Sequence, residues 1–157
     1  MKNTFSLDDM ACFQAYRLHH AFGRYYQVVF AGTGLTYAKY VVLKALGEHG
    51  GMSLSDLSAR LGVEPNTLSP LVKKMATYGT VERLRDPGDE RRIVLRLTPR
   101  GVTALQEADA LVARSFGSLD LAEDDVAETI RRMSGLRSAL DRAADGGEAK
   151  GDQGDCL

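Results

Sequence analysis

The chain has no tryptophan and only four prolines and two cysteines in 157 residues. Cys12 and Cys156 stand 144 positions apart, which excludes a disulfide framework and a pairwise zinc-ligand spacing. No apolar run approaches the ~20 residues needed to span a bilayer. No charged segment followed by an apolar one opens the chain, so secretion is not expected. Gly-rich phosphate loops, nucleophile elbows and paired catalytic acids are missing too. His19, His20 and His49 have no ligand spacing to cysteines or carboxylates. These absences predict one cytoplasmic domain in a reducing compartment, with no cofactor, no metal and no membrane partner. An enzyme is not expected.

Net charge is also nearly absent, at −1, but the total hides a division. Residues 1–140 carry 18 Lys+Arg against 16 Asp+Glu, and residues 141–157 carry 2 against 5. Glycines interrupt that acidic stretch, which has too little apolar surface to offset the entropy of ordering, so 145–157 is expected to be a disordered tail. The folded body is mildly basic.

Apolar residues from Leu7 to Phe30 recur at spacings of three and four, predicting one long helix with more than one buried face. Ser6 followed by Asp9 is its expected cap. So long and apolar a helix suggests a partner chain. Thr36 caps a second helix carrying Tyr37, Tyr40, Val41, Leu43 and Leu46, stopped at Gly50-Gly51. Ser53 to Leu61 is a short amphipathic helix, Gly62-Val63 a turn, and Pro65 to Tyr78 a further helix with proline at its first position. Two short helices joined this way form a helix-turn-helix. After Gly79 the period falls to two: Val81, Arg83 and Arg85 lead into the turn Asp86–Glu90, and Arg92 to Leu97 returns. A β-hairpin behind a helix-turn-helix is a wing. Thr98-Pro99 starts another helix, and a last one is expected over 122–143.

The fold class is therefore mainly α with a small β-hairpin wing, a winged helix-turn-helix in the order α-α-α-α-β-β-α-α. Residues 35–98 form the reading block. Residues 5–34 and 99–143 form the helical regions through which two copies dimerise.

Asp89-Glu-Arg91-Arg-Ile-Val-Leu-Arg-Leu97-Thr98 resembles the wing signature of the MarR family of bacterial transcriptional regulators. Within it, Ala11-Cys12-Phe13, Leu35-Thr36-Tyr37-x-x-Tyr40 and Asn66-Thr67-Leu68-Ser69-Pro70-Leu71 are similar to strings of the organic-hydroperoxide-sensing, or OhrR, branch. The first position of the Cys12 string departs, with alanine where the branch has leucine. The resemblance covers about residues 5–140 and implies a cytoplasmic homodimeric repressor on a pseudo-palindromic double-stranded DNA operator.

A helix in the major groove needs short polar side chains early and cations near phosphates. Asn66, Thr67 and Ser69 supply the first, and Lys73 and Lys74 the second. Asparagine bonds adenine bidentately and threonine meets a thymine methyl or a phosphate. The blander alternative is caps and a solvated face. Arg83, Arg85, Arg91 and Arg92 line the wing, where the resemblance makes Arg91 the minor-groove arginine and Asp89 a brace for the hairpin. Asp86 and Glu90 read as a solvated turn.

By resemblance Cys12 is the peroxide-reactive cysteine, and Tyr16, Tyr26 and Tyr37 fall where that branch has tyrosines. Hydroxyls donating to the sulfur stabilise its thiolate, the nucleophile a peroxide needs. Attack gives a sulfenic acid, which proceeds to a disulfide or to a higher oxide. Cys12 and Tyr26 are 14 residues apart on one helix, about 21 Å at ~1.5 Å per residue, so any contact must come from a second chain. Phe13, Phe22, Tyr25 and Phe30 are expected either to line an apolar vestibule or simply to pack. Cys156 is a candidate resolving thiol, with a small-molecule thiol as the other choice. Two further readings stand beside this one. In the first, a phenolic or aromatic ligand binds reversibly in the same interfacial pocket. In the second, Cys12 turns over as a thiol peroxidase, which leaves the wing unexplained.

Overall fold

A computed structural model describes residues 6–86 and 88–147, with the backbone alone for 86 and 89–92. The chain divides after Phe116 into two compact units.

In the first unit, Ser6 Oγ accepts from the Asp8 amide at 3.4 Å and caps a single 3-10 turn, Leu7–Asp9. Met10 is then extended, at φ −85° and ψ 117°, and helix α1 runs Ala11–Val29. The continuous helix expected over 7–30 is thus split. The Ser6 bond reaches two residues on, a spacing that closes a turn and competes with helix initiation. Helix α2, Tyr37–His49, starts as read: Thr36 Oγ1 accepts from the Lys39 amide at 3.3 Å, and left-handed Gly50 ends it.

Met52–Ser53 form a two-residue strand, β1, absent from the sequence reading. Helix α3, Leu54–Leu61, opens with a reciprocal capping box between Ser53 and Asp56. Gly62, at φ +64°, turns the chain into α4, Pro65–Thr77. Strands β2, Val81–Asp86, and β3, Asp89–Leu97, pair antiparallel, and β1 adds to the far edge of β3 through Met52↔Leu95 and Ser53↔Val94. A strand this short has no readable period. Only the long-range pairing with β3 reveals it.

Val42, Leu43, Leu46, Leu57, Leu68, Val72, Met75, Val81 and Leu95 close the core of this block. Each such burial is worth about 1.5–3 kcal/mol against exposure. Thr98 Oγ1 donates to the Gly79 carbonyl at 2.6 Å and accepts from the Gly101 amide at 3.0 Å. One hydroxyl thereby joins the end of α4 to the start of helix α5, Pro99–Gly117.

The second unit contains helix α6, Glu123–Gly147, with no buried residue among those described. It continues through 145–147, which the sequence reading gave to the tail. The remaining tail, 148–157, lies outside the described residues. Among the described residues no helix is long and apolar enough to cross a membrane, and no group of three or more His, Cys, Asp or Glu could hold a metal ion.

A Cβ at buried Gly101 would overlap the Thr80 carbonyl oxygen, which is backbone and cannot swing away. Gly101→Ala is expected to destabilise the chain by about 1–3 kcal/mol, the usual cost of overpacking. Urea unfolding of the two proteins checks this.

Candidate functional site

Helix α4 carries the residues expected to read DNA. Pro65 fills its first position, and Glu64 precedes it without a side-chain cap bond. Asn66 and Thr67 stand exposed in the first turn, and neither side chain forms a hydrogen bond among the described residues. They are therefore not the caps of the blander alternative. Pro70 interrupts the helix interior and withholds the donor that Asn66's carbonyl would receive. Leu68, Val72 and Met75 bury the opposite face, so Lys73 and Lys74 point outward.

Arg83 and Arg85 lie two apart on β2 and share one face of the sheet. Ser53, Ser55, Ser69, Lys73 and Arg83 surround a concavity of about 580 Å³ between α3, α4 and the sheet. Ser53 and Ser55 were not singled out in the sequence, where both read as ordinary helix-start residues. Arg91, Arg92 and Asp89 fall on β3, but their side chains lie outside the described residues, as does Cys156.

The second cluster gathers on α1, α2 and α5. Tyr26 and Phe30 are buried with Ala108, and Phe22, Tyr25, Tyr40 and Leu111 pack around them. Tyr26 stacks on Tyr37 with ring centres 4.5 Å apart, and on Phe30 at 5.5 Å. Burial first, then the neighbouring Tyr37 and Tyr25 hydroxyls, push the Tyr26 phenol upward, which keeps it a proton donor. The Tyr26 and Tyr37 hydroxyls have no partner among the described residues. Tyr25, by contrast, donates to Ser115 Oγ at 2.7 Å.

Cys12 is exposed at the start of α1, far from this cluster. Tyr16 lies one turn on, also exposed, with its ring against His20 at 4.4 Å. The structure therefore unites Tyr26 with Tyr37 and leaves Cys12 and Tyr16 at the other end of the helix. Of the four residues offered for a vestibule, Phe22, Tyr25 and Phe30 are packing residues of the aromatic cluster. Phe13 instead lies under the Arg17 guanidinium at 5.8 Å.

Helix α5 reaches α2 through Asp109, which no motif flagged. Tyr40 donates to Asp109 Oδ1 at 2.8 Å and Lys44 to Oδ2 at 2.9 Å. Burial, followed by the bond to Asp109 and its charge, pushes the Tyr40 phenol far above its usual value. A cavity of about 650 Å³ is lined by Lys39, Tyr78, Arg100, Leu35, Met75 and Leu111 among others. Lys39 Nζ donates to the Gly34 carbonyl at 2.7 Å and stands 5.3 Å from the Tyr78 ring centre.

Residues 35–93, from the approach to α2 into the returning wing strand, match the model of the MarR family. The HTH-type transcriptional regulator TtmR of Methylorubrum extorquens strain PA1 is 35% identical over 135 residues, 86% of this chain and 69% of its own. The chain belongs to the MarR family. It is a DNA-binding transcriptional regulator rather than an enzyme.

Among solved members, AbfR in its reduced form on DNA shares 27% identity at a TM-score of 0.74, over 88% of this chain and 94% of AbfR. The overoxidised AbfR on DNA gives 26% and 0.66, over 85% and 94%. PcaV of Streptomyces coelicolor, solved with its natural ligand, gives 25% and 0.77, over 87% and 98%.

Folding raises the Tyr26 and Tyr40 phenols above their ordinary 10.0, so the folded chain holds these protons more tightly than the unfolded one. Their stabilisation is complete below pH 10 and is lost as pH rises beyond it. Urea unfolding between pH 8 and 11 is expected to show that decline, and Tyr40→Phe is expected to shrink it.

Proposed function

We propose that this chain is a dimeric repressor that releases its operator when an organic hydroperoxide oxidises Cys12. The observation that carries the reading is the stacked Tyr26–Tyr37 pair, whose hydroxyls have no hydrogen-bond partner among the described residues, while Cys12 stands exposed about 21 Å along α1. Residue 19 is midway between 12 and 26. Two α1 helices crossing antiparallel about a two-fold axis near His19 would set Cys12 beside the partner subunit's Tyr26 and Tyr37.

A second copy also answers the apolar surface on the terminal helices. Met10, Tyr16 and Val28 are exposed in and beside α1, and Ile130, Met133, Leu136 and Leu140 repeat along α6 at helical spacing. The Cys12 thiolate attacks the outer oxygen of the peroxide, the O–O bond breaks and an alcohol leaves. The resulting sulfenic acid condenses with a small-molecule thiol, or with Cys156, to a disulfide and water. Strain at the crossing then rotates the two reading blocks off their half-site spacing. AbfR, which is similar to this chain, has been solved on DNA in both a reduced and an overoxidised form, so a similar chain does take up oxidation, and its overoxidised form still binds DNA.

On DNA, Asn66, Thr67 and Ser69 face base edges in the major groove, and Lys73 and Lys74 face phosphates. Arg83, Arg85 and Arg92 line the wing along the DNA, and Arg91 enters the minor groove with Asp89 bracing the hairpin. Each lost phosphate contact lowers the salt slope of binding by about one. Lys73→Ala is expected to show that change in an anisotropy titration at several salt concentrations.

One observation favours a second reading. The 650 Å³ cavity beside Lys39, Tyr78 and Arg100 is roomy enough for an acidic aromatic ligand and touches the end of the recognition helix. It lies within one chain, away from Cys12. PcaV, solved with its natural ligand, is similar to this chain over most of its length.

Fluorescence anisotropy of the reduced protein on the DNA upstream of its own gene, titrated with cumene hydroperoxide, separates the two. Release of wild type but not of Cys12→Ser, reversed by dithiothreitol, is the expected result. Tyr26→Phe is expected to need more peroxide, and normal sensitivity in that variant would count against the tyrosine contact. If neither protein lets go, the redox reading fails and the cavity becomes the candidate for induction.

A further inference from the structure

We propose that Asp109 is a positioning residue for DNA recognition: through Tyr40 and Lys44 it fixes the reading block on helix α5 and so sets the spacing of a dimer's two recognition helices. The proposal rests on the dimeric DNA-binding reading and is independent of Cys12 oxidation.

Tyr40 and Lys44 are four residues apart on α2 and so share one face of it. Both end on the same carboxylate, one on each oxygen, at 2.8 and 2.9 Å. Asp109 sits midway along α5, whose early residues Ala104 and Leu105 pack on the reading-block core and whose Ala108 and Leu111 belong to the aromatic cluster. Apart from this group and the exposed Arg60–Glu48 pair to α3, the contacts that hold α2 in place are mainly apolar. Val42, Leu43 and Leu46 enter the reading-block core, while the Tyr40 ring lies 5.4 Å from Phe30 and 6.2 Å from Tyr26. Such contacts are strong but non-directional, and a packed interior shifts between discrete arrangements, so they do not by themselves select one axial position and rotation. Two hydrogen bonds converging on one carboxylate fix both axial position and rotation.

Magnitudes separate positioning from stability. The Lys44 and Asp109 side chains are 44% and 37% exposed, and ion pairs that open to water contribute only about 0–1 kcal/mol. The Lys44–Asp109 ion pair therefore adds little to the stability of the fold, whereas the placement of α2 depends on the whole group. A dimer reads two half-sites about one helical turn apart, so a small roll of each block against α5 is felt at both recognition helices at once.

The test uses the reduced, full-length protein and an operator that wild type selects from random-sequence duplexes. A mixed-sequence duplex of the same length serves as reference. Asp109→Asn and Tyr40→Phe are expected to lose at least about fivefold in operator affinity, the lower range of coupling between sites. Binding to the mixed duplex and the salt slope are expected to stay as in wild type. The second readout is spacing. An operator with one base pair inserted at its centre binds wild type much more weakly, and the two variants are expected to discriminate less between the two spacings. Lys44→Arg, which keeps a cation on Asp109, is expected to preserve discrimination. Tyr40→Phe retains the ring and removes only the hydroxyl, so it carries the test even if Asp109→Asn unfolds.

Variants that discriminate spacing as wild type does, or that lose affinity equally on operator and mixed duplex, overturn the proposal. A wild-type chain that selects no duplex, or that sediments as a monomer, overturns the dimeric reading and this inference with it. A wild type indifferent to peroxide overturns the oxidation reading alone.

Discussion

Helix α2 is buried on two sides, and the first unit is organised by that constraint. One face gives Val42, Leu43, Ala45 and Leu46 to the core beneath the recognition helix. The other gives Tyr40 to the aromatic cluster built on Tyr26 and Phe30. Leu35, just before its cap, packs against both clusters. A helix shared in this way cannot move for one cluster without being felt by the other, because close-packed interiors shift between discrete arrangements rather than deform smoothly. That gives a change on α1, such as the proposed oxidation of Cys12, a physical route to helix α4.

Polar groups set positions that the apolar cores leave free. The Ser53–Asp56 capping box fixes where α3 begins, and the Thr98 hydroxyl ties α4 to α5 across the end of the hairpin. Asp109 does the same between α2 and α5. Each contributes little beside the burial of the large apolar side chains in the two cores. Each removes one sliding or rotational freedom, and a protein that must hold two helices at the repeat of DNA depends on those freedoms being removed.

Much of the reading block was legible because its signals are local. Thr36, Pro65, Gly62 and Gly79 act within one turn of where they stand, and the change of period after Gly79 is visible without any partner. The break at Met10 was not legible, because the periodicity of Leu7, Met10 and Phe13 fits a helix whether or not Ser6 closes a turn first. Strand β1 was hidden for a different reason: two residues become a strand only when Leu95 and Val94 lie opposite them.

The candidate site divides along the same line. Asn66, Thr67, Lys73 and Arg83 could be named from sequence, since their helix and strand faces follow from period alone. The sequence likewise determined that Cys12 and Tyr26 cannot meet within one chain, because a helix rises by a fixed step per residue. Only the tertiary structure decided that Tyr37 stacks on Tyr26, that Phe30 is core rather than vestibule, and that Asp109 closes on Tyr40 and Lys44 from at least 65 residues away. Local backbone preference carries information over a few residues. Which side chains complete each other across the chain is settled by packing, and packing is a property of the whole fold.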